Sequence, residues 1–322
     1  IQNPDMGSAY NNYGNVVREM GHPERAIGFL LNAIAINPND SVAQFNLAVA
    51  YLLSGDLDRG WKQYERRWKF EHLDGKLPQL SQPRWTGQEI HNKTILITGE
   101  QGHGDNIQFC RFAEQLVLMG AQVIICVDNN LKPLLQNSFL SAVTVLGTED
   151  RIPEFDYWTP IMSIPGFLNI TYDNLPYKLQ YLTAGKDSRI EWLNRLGNKT
   201  KLRIGFCWSG RRDSWINQHK AIPFEKMFGL IKRNPQYEWI NLQTDCTEEE
   251  QNQLVAEGVR AFPGEIKNWN EYNPKNFKSR YRHWFRMNHD VIRIDTKVSH
   301  ALGIPPDLDR IARAEQSDAR RD

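Results

Sequence analysis

The chain has 322 residues, of which 40% are hydrophobic and 24% are charged, and its formal net charge is +1. This composition is typical of a folded globular protein of two or three domains, and the near-zero charge argues against an attraction to nucleic acid or membrane surfaces. The four cysteines lie far apart without a C-x-x-C pair, which argues against a zinc site or a disulfide framework. No apolar run is long enough to span a membrane and no signal peptide opens the chain, so we expect a cytoplasmic protein.

Residues 1–70 carry a repeating pattern. Pro4 lies 34 residues before Pro38, and a second unit of the pattern begins at Ser41. The residues that match the tetratricopeptide pattern in the first unit are Tyr10, Gly14, Val17, Gly21, Ala26, Leu30, Ala33 and Pro38. Four helices are therefore predicted. Two repeats are too few to be stable alone, so we expect them to stack on the next domain, and a groove for a protein or peptide partner is the alternative.

Residues 71–92 are predicted to be a linker, because glycine and proline recur along them. Trp85 is expected to anchor this linker on a core. A strand at 93–98, a glycine-rich loop at 99–105, a helix at 106–119 and a strand at 121–127 follow. This order predicts a parallel sheet, and ligands of such sheets bind beyond the carboxyl ends of the strands, where the loop lies.

The glycine-rich loop contains Gly102, Gly104 and Asp105. Glycines let a ligand approach the backbone closely. The spacing does not fit the dinucleotide fingerprint, and no Walker lysine follows. Asp105 is interpreted either as the N-cap of the next helix or as a catalytic carboxylate, and the residues alone leave both readings open.

A second α/β unit is predicted after residue 198. A helix at 187–196 precedes it, with Ile190, Leu193 and Leu196 on its apolar side. Strands are predicted at 202–208 and 239–242, with a helix beginning at Pro223 between them. The basic residues of the loop at 209–221 suit a phosphate or diphosphate, and a solvated loop is the alternative; these residues are Arg211, Arg212, His219 and Lys220.

Six segments in this order resemble a known family. They are GWKQYERRW at 60–68, PRWTG at 83–87, GEQGHGDNIQF at 99–109, MSIP at 162–165, WSG at 208–210 and DTKVSH at 295–300. Together they resemble bacterial tetratricopeptide-repeat proteins with a heptosyltransferase-like glycosyltransferase domain of the GT-B fold. The resemblance implies an α/β protein with an all-α N-terminal part, in which the repeats precede two Rossmann-like domains. It places the acceptor domain at 93–198 and the nucleotide-binding domain at 199–305.

The resemblance also implies roles for individual residues. Asp105 would be the general base of an inverting, metal-independent transfer from a nucleotide-diphosphate sugar, with no further cofactor. Lys220 would neutralise the leaving diphosphate. His300 would either orient a phosphate or pack under a helix. The other residues expected around the phosphates are Ser209, Gly210, Asp295 and Thr296.

The chain departs from the family after residue 296. Lys297 stands where the family has a small residue, and 301–305 follow without the usual alanine-rich turn. The second domain is therefore expected to be incomplete, with a polar tail at 306–322. The alternative function is a protein-binding scaffold with an inactive transferase domain. Basic and aromatic residues alternate at 275–286, but the charge balance argues against a nucleic-acid partner.

Overall fold

The computed structural model describes residues 4–69, 77–100, 102–139, 141–176, 181–209 and 221–262. The expectations about 263–322, including the incomplete second domain and the polar tail, lie outside these residues. The described chain forms four N-terminal helices and then two parallel α/β units. In the part that the structure describes, no helix is long and apolar enough to cross a membrane.

The N-terminal helices are those that the repeat pattern predicts. Their bounds are Pro4–Glu19 (α1), Pro23–Ile36 (α2), Ser41–Ser54 (α3) and Leu57–Tyr64 (α4), and a 3₁₀ turn, Glu65–Lys69, ends the unit. The carboxylate of Asp40 accepts hydrogen bonds from the first turn of α3, and Asp56 does the same for α4. Gly55 ends α3 with a φ of 87°, which is accessible mainly to glycine.

The helical unit packs on the α/β unit that follows it. Ala48 and Tyr64 belong to the same apolar cluster as Phe109 and Ile164. The rings of Trp61 and Phe109 meet edge to face at 5.9 Å. The expectation that the repeats stack on the next domain is therefore confirmed.

The first sheet has four parallel strands. They are Thr94–Thr98 (β1), Gln122–Val127 (β2), Val143–Gly147 (β3) and Tyr157–Pro160 (β4), in the order β3-β2-β1-β4. The linker extends this sheet beyond β4, because the Trp85 N–H donates to the Trp158 carbonyl at 2.8 Å. Trp85 is fully buried, as predicted.

The helix expected at 106–119 is divided and begins earlier. It consists of His103–Phe109 (α5), a 3₁₀ turn, Cys110–Phe112, and Ala113–Leu118 (α6). The buried apolar side chains here are a wider set than one stripe of a regular helix presents, and they are Phe109, Cys110, Phe112, Ala113 and Leu116. The remaining helices of this unit are Lys132–Phe139 (α7) and Ile164–Phe167 (α8).

The second unit is built on two parallel strands. Its elements are Lys186–Leu196 (α9), Arg203–Phe206 (β5), Phe224–Arg233 (α10), Glu238–Asn241 (β6) and Glu248–Ala256 (α11). Strands β5 and β6 pair in parallel, and Arg260 forms a further parallel bridge beside Ile240.

Helix α9 presents a different face from the one expected. Ile190 and Leu193 are about half exposed, whereas Trp192 and Leu196 are buried. The Trp192 ring lies 4.9 Å from the Phe262 ring of the second unit, and a bulky indole there decides which face of α9 is covered. The sequence-based boundary at 198 thus separates α9 from the sheet unit that it contacts.

Candidate functional site

The glycine-rich loop lies at the carboxyl end of β1 and is held by one buried side chain. Asn106, which is 5% exposed, accepts a hydrogen bond from the Glu100 N–H at 3.1 Å. Its amide donates to the carbonyls of Glu100 at 3.1 Å and Gly102 at 3.0 Å. The loop is therefore fixed at both ends by a residue to which the sequence analysis gave no role.

Asp105 is not the N-cap of the helix. Gly102 occupies that position, and Asp105 is the third helical residue, whose carboxylate accepts the Gly102 N–H at 3.1 Å. The helix begins early because this bond closes its first turn. Asp105 is half-buried, and on the neighbouring strand end the Asp128 carboxylate lies 3.3 Å from the His103 ring.

Gly104 is exposed and lies beside open space. A Cβ atom added to Gly104 would meet no heavy atom within 4 Å, and its φ does not lie in the left-handed region. Neither backbone conformation nor packing within the described chain therefore requires a glycine here. The open space at Gly104, the residue before Asp105, leaves room for a ligand to approach the backbone.

A buried ion-pair cluster lies directly behind the loop. Arg67, from the 3₁₀ turn after α4, donates two hydrogen bonds of 3.0 Å to the carboxylate of Glu100, one to each oxygen. Arg67 is 1% exposed and the Glu100 side chain is 7% exposed. Glu100 also accepts the Met162 N–H at 2.8 Å, which ties the loop to the end of β4.

Two further residues complete this cluster. The Ser163 hydroxyl accepts hydrogen bonds from Arg67 at 2.7 Å and from Arg84 at 2.9 Å. Glu65 accepts one hydrogen bond from each of the same two arginines. Four of the segments that carry the family resemblance therefore meet at one point, although they are spread over about a hundred residues of sequence.

The charges in this cluster balance. Burial opposes the charge of Arg67, but Glu100 and Glu65 outweigh it and hold the pKa of Arg67 above its ordinary value. Burial also opposes the charge of Glu65, and Arg67 and Arg84 nevertheless lower the pKa of this carboxyl. Burial raises the pKa of Glu100, and Arg67 opposes that increase. Two carboxylates and two guanidinium groups thus neutralise one another.

The loop after β5 is the second region expected to bind ligand. The N–H groups of Trp208 and Ser209 both donate to the side-chain oxygen of Gln243, at 3.1 and 3.0 Å. Gln243 follows β6, so it joins the carboxyl ends of the two strands. Sequence reasoning missed Gln243, because nothing in the local pattern pairs it with Ser209. The other residues expected around the phosphates lie outside the described residues: Gly210, Lys220, Asp295, Thr296 and His300.

Within the described ranges, no group of three or more histidine, cysteine or acidic side chains is placed to hold a metal ion. None of the four cysteines, all of which lie in the described ranges, is part of a disulfide, and Cys110 is fully buried. Burial raises the pKa of the Cys110 thiol to about 12, which leaves it unreactive at neutral pH.

Comparisons with known proteins identify one family model. Residues 29–62 match a tetratricopeptide repeat model, which confirms the repeat prediction. The chain is 27% identical over 270 residues to protein FlbA of Caulobacter vibrioides. That alignment covers 76% of this chain and 45% of FlbA, so the chain spans less than half of this relative's length.

Part of the chain also aligns with solved structures of glycosyltransferases. The ADP-heptose LPS heptosyltransferase II of E. coli aligns with a TM-score of 0.38 and 16% identity over 56% of this chain and 75% of that one. A family 9 glycosyltransferase of Veillonella parvula aligns with a TM-score of 0.40 and 13% identity over 55% of this chain and 70% of that one. These scores are too low to carry an argument about function. The chain combines a tetratricopeptide-repeat region with parallel α/β units.

Proposed function

We propose that this chain is a glycosyltransferase that moves a sugar from a nucleotide-diphosphate sugar to a protein or glycan acceptor. The observation that carries the proposal is the half-buried Asp105, which follows the exposed Gly104 in a glycine loop at the carboxyl end of a parallel sheet. Ligands of parallel α/β sheets bind at this edge. The segments that resemble heptosyltransferase-like enzymes support the same reading.

The proposed reaction is a single displacement with inversion and without a metal. Asp105 takes the proton of the acceptor hydroxyl as the acceptor oxygen attacks the anomeric carbon. A bond forms between that oxygen and carbon, and the bond from the carbon to the diphosphate oxygen breaks. The nucleoside diphosphate leaves with the electron pair.

The donor half of the proposed site belongs to the second unit. Ser209 and Gly210 would line the diphosphate pocket, and Lys220 would neutralise the leaving group. The hydrogen bonds that the Trp208 and Ser209 N–H groups donate to the Gln243 side chain support a fixed backbone at the start of this pocket. The family resemblance would add Asp295, Thr296 and His300, which lie outside the described residues, to the donor residues.

Replacement of Asp105 by asparagine tests this function. An amide oxygen can still accept the Gly102 N–H, so the first turn of α5 should survive. The amide cannot take a proton, so turnover should fall by about 10²–10⁴-fold while thermal stability stays nearly unchanged. Transfer is measured with UDP-, GDP- and ADP-linked sugars.

Asp187→Asn is the matched control, because Asp187 is an exposed acidic residue in the first turn of α9. It should leave turnover unchanged. Full activity of the Asp105→Asn variant would show that Asp105 only supports the helix, and that the catalytic assignment is wrong.

The second candidate function, a protein-binding scaffold, rests on an exposed apolar stripe of α1. Its members are Met6, Tyr13 and Val16 of α1 and Met20 directly after the helix, each more than half exposed. One repeat period of 34 residues later, the positions equivalent to Tyr13 and Val16 are Leu47 and Ala50. These two residues are buried in a cluster with Ala26 and Leu30 of α2. The α1 stripe is therefore suited to an amphipathic helix of a partner or of a further repeat. A chain that binds such a helix but transfers no sugar would favour this function.

A further inference from the structure

We propose that Arg67 is a positioning residue for the glycine loop, so that the helical repeats form part of the catalytic site. Arg67 acts through Glu100, which begins the loop that carries Asp105. The catalytic part of this inference rests on the proposed glycosyltransferase function. The geometric part, the coupling of the loop to the repeats, does not depend on it.

Arg67 is held in a single orientation by its surroundings. A guanidinium group has five N–H groups, and all five of Arg67 have an acceptor within the fold. The acceptors are the two carboxylate oxygens of Glu100, one carboxylate oxygen of Glu65, the Ser163 hydroxyl and the Tyr64 carbonyl. The rings of Tyr64 and Trp68 lie 4.8 and 4.3 Å from the guanidinium carbon.

Glu100 transmits this fixed orientation to the loop. Its side chain is bound by Arg67 and by the Met162 N–H, while its backbone N–H and carbonyl are bound by Asn106. Asn106 also holds the Gly102 carbonyl, and the Gly102 N–H is bound by Asp105. A continuous chain of hydrogen bonds therefore runs from the repeat boundary to the proposed base.

A buried arginine–glutamate pair can also be purely structural, and the chain contains such a pair for comparison. Arg203 in β5 is 7% exposed and donates to Glu238 in β6 at 2.6 Å. Its other hydrogen bonds go to backbone carbonyls at 196–198, at the end of α9. Arg203 thus matches Arg67 in burial and partner type but belongs to the second unit.

The test compares Arg67→Lys with Arg203→Lys. Lysine keeps the charge but cannot reproduce the two parallel hydrogen bonds to a carboxylate. In Arg67→Lys, hydrogen exchange of the amides at 99–109 should accelerate. In Arg203→Lys, exchange at 99–109 should remain at the wild-type rate, and exchange at 203–206 and 238–241 should accelerate instead. Equal exchange at 99–109 in wild type and Arg67→Lys would overturn the inference.

Kinetics separate positioning from a general loss of folded protein. In Arg67→Lys, kcat for transfer from UDP-, GDP- or ADP-linked sugars should fall by about 10–100-fold, since small misplacements of a catalytic group have effects of this size. The donor KM should change by less than about two-fold, because the donor residues belong to the second unit. A decrease in kcat that is matched by the loss of protein folded at α3 and β1, measured from the protected amides of these two elements, would overturn the inference.

Chemical rescue supplies a second variant. In Arg67→Ala, guanidinium chloride at low millimolar concentration should restore slow exchange at 99–109, and the uncharged analogue urea should not. If both compounds restore slow exchange at 99–109, or if neither does in a folded variant, the role of Arg67 is contradicted. If Arg67→Ala does not fold, Glu100→Gln replaces it in the exchange experiment. If wild type transfers no sugar from any donor, the proposed function fails while the exchange results still decide the coupling.

Discussion

At the residue scale, the second unit depends on one carboxylate between two arginines. Glu238 accepts hydrogen bonds from Arg203 at 2.6 Å and from Arg260 at 2.9 Å. Burial alone would raise the pKa of Glu238, but the two arginines outweigh burial and hold this pKa below its ordinary value of 4.5. A carboxyl group whose pKa is lower in the folded chain stabilises the fold above its unfolded pKa, and this contribution is lost as the pH falls through the folded value.

Glu238→Gln should therefore destabilise the second unit at neutral pH and have a smaller effect at acidic pH. The variant and wild type should differ most above pH 4.5 and converge as the pH falls below it. Hydrogen exchange of β5 and β6 over this pH range, corrected for intrinsic rates, measures the difference. Glu257→Gln, at a surface pair in which Lys232 lies 3.7 Å from Glu257, is the control and should show little change. If the stability difference between wild type and Glu238→Gln grows toward acidic pH, the pKa of Glu238 is not lowered by folding and the prediction is wrong.

The sequence identifies single residues better than it identifies their partners. Asp105 and the glycines are recognisable because their local pattern is unusual. The cluster around Arg67 is not, because Arg67, Glu100 and Ser163 are separated by 33 and 63 positions and meet only when the helical unit packs on the sheet. Asn106 is predicted only as the first residue of a helix, since nothing local shows that its amide is buried.

At the element scale, close helix packing in the repeats depends on particular glycines. A Cβ atom on Gly60 of α4 would lie 2.6 Å from the Leu52 side chain and 3.1 Å from the Leu52 backbone nitrogen. Gly28 in the middle of α2 is exposed, and a Cβ atom there would meet nothing within 4 Å. A glycine-to-alanine change therefore tests close packing at Gly60 and helix propensity alone at Gly28.

Gly60→Ala should lower the free energy of unfolding by about 1–3 kcal/mol, because the methyl group forces α4 away from α3. Gly28→Ala should raise it by about 0.5–1 kcal/mol, because alanine is the better helix former and no contact is disturbed. Denaturant titration of both variants measures these changes. A neutral or stabilising Gly60→Ala would mean that α3 and α4 are less closely packed than in the described structure.

The repeat period predicted the helices α1 to α4, and apolar runs predicted the strands β1, β2, β5 and β6, because both signals are local in sequence. Two details were not predictable in this way. The break between α5 and α6 follows from the burial of residues on more than one helix face, and the buried face of α9 follows from the Trp192–Phe262 contact. Both depend on neighbours that lie elsewhere in the chain.

At the scale of the whole molecule, the apolar clusters show which parts share a core. One cluster joins Ala48 and Tyr64 of the helical unit to the first sheet. The clusters of the second unit, which include Trp239 and Ile240, have no residue in common with it. A further cluster within the repeats lies partly on α3, which also carries Ala48, so the repeats and the first sheet should unfold together. Among the described residues no apolar cluster joins the second unit to them, so that unit should unfold separately.

Hydrogen exchange at increasing, sub-denaturing concentrations of denaturant tests this division. The slowest amides of α3 and β1 should show the same opening free energy and the same dependence on denaturant. The slowest amides of β5 and β6 should share a second pair of values that differs from the first. Arg67→Lys should lower the values for α3 and β1 together, because Arg67 contacts both parts through Glu100 and Tyr64. Arg203→Lys should lower only those for β5 and β6. If α3 opens well before β1 in wild type, the repeats are an independent module, and the buried Arg67–Glu100 pair does not couple them to the sheet.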